Sequence, residues 1–418
     1  MRGLMFDRST WRLALTKLFR LEGLTTRYRD DWPTPQVDHP TKVRVKTLLA
    51  GICGTDLHQA RADVSTFVTA MASPRNPFPV GHEALAVVDE VGAEAKEQRD
   101  LEVGDRVVYF PVATCEHHGF APCASCRAGD YEACLCLTGR GDGSGREAIF
   151  GGRGKFGGYG GGGFCEFLVG FAGQFHPVPR HVPDDVAVLV EPFGIGVHAV
   201  ARNPPADDQF VVVVGAGTIG LMVVAAARAL GCRCTILVLA RHPFQADLAR
   251  RLGADHVVVT KGLTFAHVLE RVTRLAGGTV VKPSFSKPAV YGAEGADVVY
   301  DSVATEGSLD ESMRLLRHGG KLVVVGQGFS VTKRVDWALL SYKELRVVGA
   351  LMHGMVSHGG RVVHAFELAL ELASKDPGRL AGLVTHRFPI EEHREAFRVA
   401  RNKAAHGSVK VAFDWRSN

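Results

Sequence analysis

The 418-residue chain has no dense block of lysine or arginine, and its 49 basic and 44 acidic side chains leave a formal net charge of +5. So mild an excess attracts an anionic cofactor slightly but makes no nucleic-acid footprint, and no nucleic-acid partner is expected. The N-terminus lacks an uninterrupted apolar stretch, because Arg2, Asp7, Arg8, Arg12, Lys17 and Arg20 break it up. A secretory signal is therefore not expected. Long charge-free runs are scarce. The one that suggests a membrane span, residues 210–227, is interrupted by a Gly-x-Gly-x-x-Gly turn after a valine-rich start. It reads as a buried strand, a turn and a helix, and no membrane partner is expected. Cysteine is unevenly spread: there are nine, and Cys115, Cys123, Cys126, Cys134 and Cys136 crowd one segment. An odd count without a leader fits a reducing cytoplasm and metal binding better than disulfides.

What is present is ordinary in bulk, with 46% hydrophobic and 22% charged residues. The length suggests two or three domains. The first half reads as short β-segments: Val43–Leu49, Ala84–Val91, Arg106–Phe110 and Phe164–Val169. From about residue 193 strands and helices alternate through Leu345–Gly349, the pattern of an α/β fold with a parallel sheet. Arg361–Ser374 and Ile390–Arg401 read as amphipathic helices, and Ser408–Phe413 as a strand returning to the first domain. The glycine-rich Gly139–Gly163 reads as a mobile loop and Gly277–Gly292, with its two prolines, as a surface loop. The pocket walls are expected from Asp63–Met71 and Met352–His358.

Three segments carry the chemistry. Gly51-Ile-Cys-Gly-Thr-Asp-Leu-His58 and Gly81-His-Glu-Ala84 supply a thiol, an imidazole and a carboxylate, and Leu189-Val-Glu-Pro-Phe193 supplies another carboxylate. Cys53, His82 and Glu191 are a donor set of the kind zinc prefers, and a catalytic zinc keeps one position open. Glu83 either ligates, displaces a water or stands behind the ligands. A lone Cys or His is more often a packed core residue; the combination is what points to a metal.

Cys123-Ala-Ser-Cys126 followed by Cys134 is a second metal signal. Val211-Val-Val-Val-Gly-Ala-Gly-Thr-Ile-Gly220 places a glycine turn between a valine run and an apolar helix. Gly215, Gly217, Thr218, Ile219 and Gly220 then let a pyrophosphate approach the backbone at a helix N-terminus. Near residue 240, where an NAD enzyme places an acid, the chain has Ala240-Arg241-His242. A guanidinium in that place favours NADP(H), with NAD(H) as the alternative, unless Arg241 merely stacks on adenine. Asp301-Ser302-Val303-Ala304 and Val325-Gly-Gln327 are expected to line the nicotinamide half. Cys165, Cys232 and Cys234 read as core packing.

On these motifs the chain resembles the medium-chain, zinc-dependent alcohol dehydrogenase superfamily over nearly its whole length, most closely its polyol and threonine dehydrogenase branch. The resemblance implies a GroES-like catalytic domain, residues 1–192 and 353–418, and a Rossmann domain, residues 193–352. It implies zinc held by Cys53, His82 and Glu191, with Glu83 alternating or behind them. Thr55 would contact the substrate oxygen and His58 would hand a proton to solvent; Asp56 would orient its neighbours. A structural zinc would sit on Cys123, Cys126, Cys134 and a first ligand displaced from the family's position near Phe120. Cys115 is favoured there, with His117, His118 or Cys136 as alternatives. The resemblance further implies a small alcohol or carbonyl substrate, possession of both zinc and NAD(P), and a homodimer or homotetramer. Two rival readings remain open, a metal-free quinone or enoyl reductase of the same fold and a non-catalytic cofactor-binding protein. Ser9–Arg29 is not typical of the family core.

Overall fold

The computed structural model describes residues 1–7, 9–19, 23–63, 77–138, 162–328 and 331–416. Most of the glycine-rich loop, 139–161, and most of the first pocket-wall stretch, 64–71, lie outside the described residues. The chain forms two compact units, Met1–Glu191 with Ala369–Asn418, and Pro192–Leu368.

The first unit begins with β1 (Gly3–Phe6), α1 (Thr10–Phe19) and β2 (Thr26–Arg29), then β3 (Lys42–Gly51), α2 (Gly54–Ala60), β4 (Phe78–Pro79) and β5 (Glu83–Val91). It continues through β6 (Arg106–Tyr109), α3 (Ala124–Ala128), β7 (Phe167–Phe171) and β8 (Phe175–Pro177) to the first residues of α4 (Val190–Arg202), whose remainder belongs to the second unit. The untypical N-terminal segment is thus an antiparallel hairpin, β1 on β2, with a helix inserted between its strands. Leu4 and Phe6 of β1 and Leu57 of α2 share a core cluster with Phe164 and Phe413.

The second unit holds six parallel strands: β9 (Phe210–Val214), β10 (Thr235–Ala240), β11 (His256–Val259), β14 (Ala296–Asp301), β15 (Leu316–Val324) and β16 (Arg346–Gly349). Between β11 and β14 the stretch read as a surface loop pairs instead as a hairpin, β12 (Thr279–Val281) on β13 (Ala289–Tyr291). The β-branched residues at both ends of the insertion supply its ladder, a signal that the two prolines masked. The sheet order is β11-β10-β9-β14-β15-β16, so the chain reverses its direction of travel between β9 and β14. In such sheets the crevice beyond the strand C-termini at this switch is where ligands bind. Helix α5 (Thr218–Ala229) follows β9 and is buried from Gly220 to Ala227.

A second hairpin, β17 (Met355–His358) on β18 (Arg361–His364), takes up the start of the segment expected to be helical from Arg361; the helix itself runs Ala365–Lys375. Residues 353–368, grouped with the first domain by sequence, cluster with the second unit. The reason is local: Gly354 N–H donates to His198 Nδ1 at 2.9 Å, and Arg202 Nε to the Met355 carbonyl at 3.0 Å.

The chain returns to the first unit through β19 (Val384–Phe388), α6 (His393–Arg401) and β20 (Lys410–Asp414). The main sheet there runs β19-β20-β3-β5-β6-β8, with β7 also on β3. Val43, Val45, Ala84, Ala86, Val88, Val107 and Phe175 fill one face. Phe164, Phe397 and Phe413 pack together on another core.

Candidate metal and dinucleotide sites

Strand β3 ends at Gly51, and Cys53 caps the N-terminus of the short helix α2. Asp56, one turn on, accepts from the Cys53 backbone N–H at 2.9 Å. Its other oxygen stands 4.0 Å from His82 Nδ1, so one buried carboxylate orients both residues. His82 precedes β5 and Glu83 begins it. The Cys53 sulfur, a His82 nitrogen and a Glu83 oxygen all lie within 4.8 Å of one another. Glu191, at the start of α4, is buried beside this group but is not one of those three.

Electrostatics bind the four together. Burial disfavours the His82 imidazolium, but Cys53, Asp56 and Glu191 outweigh it and hold its pKa well above the ordinary value. Burial pushes the Glu191 carboxyl up to about 7, with His82 and Lys410 opposing and Glu83 and Asp56 adding to the rise. Such a site gathers acid groups around one imidazole, an arrangement a bound cation would stabilise.

Glu83 has a partner that sequence reasoning missed. Lys410 Nζ donates to both Glu83 oxygens, at 2.6 and 2.5 Å, and to the Ile52 carbonyl at 3.1 Å. Both side chains are almost wholly buried, at 2% and 1% exposure. The pair bridges three adjacent strands, since Gly51 of β3 pairs with Glu83 of β5 and with Ala412 of β20. Glycine is required at 51, because a Cβ there would stand 2.1 Å from Glu83 Oε2. The available signal was weak: one lysine in the apolar run Val409-Lys-Val-Ala-Phe413.

Thr55 lies beside the metal donors, where the Cys53 thiol donates to its Oγ1 at 3.6 Å. His58 is on the same helix, 41% exposed, with Nδ1 3.2 Å from Asp63.

The cysteine lobe is a second donor cluster. Cys115, Cys123, Cys126 and Cys134 have sulfurs mutually within 4.8 Å, so Cys115 is the residue brought beside the other three. The two histidines of the insertion are used elsewhere. His117 Nδ1 accepts from the Thr114 N–H at 2.9 Å, and His118 stacks on Phe120. Burial raises the Cys123 thiol, but the Leu135 and Cys126 N–H groups and neighbouring thiols outweigh it and bring it down to about 6. A thiol so placed is readily a thiolate ligand.

In the second unit Gly215–Gly220 forms the turn from β9 into α5, with Gly217 as N-cap. Gly220 must lack a side chain, because a Cβ would meet the Gly215 carbonyl at 1.9 Å. Thr218 and Ile219 open the helix, and a helix N-terminus of this kind suits a phosphate. Ser302, beyond β14, donates to the Val214 carbonyl at 2.8 Å and the Gly215 carbonyl at 3.2 Å. Val303 N–H donates to buried Asp301 at 2.9 Å. These residues therefore meet at the switch point. Ala240 ends β10, and Arg241 and His242 begin the next turn. Burial lowers the His242 pKa, and so do Arg241 and Lys261, which makes Lys261 a second cation facing this turn.

Comparison with known proteins finds matches over nearly the whole chain. Residues 39–180 match the alcohol dehydrogenase GroES-like domain and residues 218–375 the zinc-binding dehydrogenase family. The chain is 31% identical to an L-threonine 3-dehydrogenase of Anaeromyxobacter sp. (strain K), covering 96% of this chain and 98% of that one. Its fold is that of galactitol-1-phosphate dehydrogenase from Escherichia coli, at TM-score 0.68 and 23% identity over 99% of this chain and 100% of the other. It is also that of 2R,3R-butanediol dehydrogenase from Bacillus subtilis, at TM-score 0.66 and 21% identity over 99% of each. No described helix is long and apolar enough to cross a membrane. The chain belongs to the medium-chain, zinc-dependent alcohol dehydrogenase superfamily, whose members are NAD(P)-linked oxidoreductases acting on an alcohol or its carbonyl counterpart.

Proposed function

We propose that the catalytic zinc is held by Cys53, His82 and Glu191, and a structural zinc by Cys115, Cys123, Cys126 and Cys134. The approach of the Cys53 sulfur and a His82 nitrogen within 4.8 Å, with Glu191 buried beside them, carries this reading. The donor chemistry fits: one thiol, one imidazole and acid groups suit a catalytic zinc, and four thiols a closed structural one. Glu83 stands behind the ligands, since both its oxygens already accept from Lys410. When bound, zinc supplies Lewis acidity toward the substrate oxygen.

The protein's own groups then do the rest. Asp56 fixes the orientation of Cys53 and His82 through the contacts above. Thr55 takes the hydroxyl proton of the substrate as it gives its own up toward His58, which, paired with Asp63 near the surface, passes a proton to solvent. Gly215–Gly220 holds the pyrophosphate at the start of α5, and Ser302 and Val303 border the nicotinamide half. Arg241 and Lys261 pair the 2′-phosphate of NADP, which is favoured over NAD.

The substrate is a small secondary alcohol, a hydroxy-amino acid or a polyol. The likeness to an L-threonine 3-dehydrogenase over nearly the whole chain supports a hydroxy-amino acid. The protein works in the cytoplasm as a homodimer or homotetramer, without nucleic-acid or membrane partners. A panel of L-threonine and polyols with NADP and with NAD tests the reading. Reduction of cofactor by at least one of these, lost after metal removal, is expected. Turnover confined to quinones or enoyl compounds and indifferent to metal would instead favour the metal-free rival, against which Cys53 beside His82 speaks.

A further inference from the structure

The cysteine lobe contains one sulfur more than a tetrahedral ion needs. Cys115, Cys123, Cys126 and Cys134 are mutually close, and Cys136 is not one of that group. Yet the Cys136 thiol touches the group from outside, with its Sγ 3.6 Å from the Cys115 Sγ. Cys115 Sγ is in turn 3.6 Å from Cys134 Sγ. Cys136 is buried, and the short turn Leu135–Thr138 holds it in place. A buried thiol in van der Waals contact with a ligand sulfur, yet not needed as a ligand, is placed for reaction with it.

We propose that Cys136 is a resolving thiol: when a peroxide oxidises the lobe, it closes a disulfide with Cys115 and displaces that ligand from the metal. This rests on the lobe ligand set proposed above. The chemistry balances in two steps. The Cys115 thiolate attacks hydrogen peroxide, the O–O bond breaks, and a sulfenic acid and hydroxide form. The Cys136 thiol then attacks that sulfur, an S–S bond forms, and water leaves with the thiol proton. Two electrons pass from the thiol pair to the peroxide. Cys115 is the favoured partner over Cys134, because a Cys134–Cys136 bridge would close a ring over one intervening residue and be strained. The Cys115–Cys136 bridge joins positions 21 residues apart, at the two ends of the lobe. It therefore replaces a metal crosslink by a covalent one and leaves Cys123, Cys126 and Cys134 as an incomplete set.

The test is a hydrogen peroxide titration of the purified zinc-loaded protein, with zinc counted before and after. Remaining thiols are alkylated and the peptides mapped by mass spectrometry. The expected map shows a Cys115–Cys136 cross-linked peptide, reversed by dithiothreitol, with about one zinc per chain released in step with it. In Cys136→Ser, no bridge to Cys115 forms, and Cys115 accumulates as sulfinic acid that dithiothreitol does not reverse. Recovery of Cys136 as the alkylated free thiol once the other lobe cysteines are oxidised, or a map in which all five resist excess peroxide, overturns the proposal. The wild-type map decides this whether or not the variant folds. A bridge that forms in protein whose lobe never held zinc leaves Cys136 in its assigned role and removes the ligand set instead.

Discussion

Truncating Lys410 would strand the Glu83 carboxylate in a site with almost no solvent. Breaking a buried ion pair from one side costs about 3–5 kcal/mol, and loss of a group behind metal ligands lowers metal affinity or activity about 10–100-fold. Lys410→Met is therefore expected to show both effects, by urea unfolding and by zinc competition with a chelator. Unchanged stability and affinity would mean that the pair supports nothing. At the other end of the chemistry, Arg241→Ala is expected to raise the KM for NADP about 10–100-fold, the worth of a charge-assisted hydrogen bond, and to leave that for NAD nearly unchanged. Equal effects on both cofactors would show that the guanidinium stacks on the adenine. The meeting of Cys53, His82 and Glu83 was legible in sequence because short motifs carry these residues. Lys410 was not, because its partner is 327 residues away and only the strand register joins them.

At the scale of elements, glycine positions decide whether strands and turns come close enough to work. The β9–α5 turn needs Gly220, where any side chain collides with the Gly215 carbonyl. Gly220→Ala is expected to weaken cofactor binding at least about tenfold and to destabilise the second unit by about 1–3 kcal/mol. Fluorescence titration with NADPH and thermal unfolding would measure both, and a variant that binds normally would contradict the tight turn. The parallel sheet and this turn were readable, since buried parallel strands are continuous valine-rich runs such as Val211–Val214. The hairpin formed by β12 and β13 was not, because two prolines between its strands resemble loop chemistry. Nor was the helix inserted between β1 and β2, where charged residues at Arg2, Asp7 and Arg12 hid a strand and a turn. Asp7 is in fact buried, paired with Arg12 and Arg27.

At the scale of the whole molecule, the metal site couples to solvent protons. Without a cation, His82 is held above its ordinary pKa and Glu191 is pushed up to about 7. Both take up protons that a ligated zinc must displace, so the empty site binds more protons than the loaded one. Zinc affinity is therefore expected to rise with pH through about 7 and to fall below it. Chelator competition at about pH 6 and about pH 8 gives the sign. An affinity independent of pH would show that these groups do not bind the ion.

The most direct measurement is zinc content and alcohol-dependent NADP or NAD reduction by wild type and Cys53→Ala side by side. The expected result is about two zinc per chain and turnover in wild type, and about one zinc, normal cofactor binding and no turnover in the variant. Turnover that survives in metal-free Cys53→Ala protein would contradict a catalytic metal at this site.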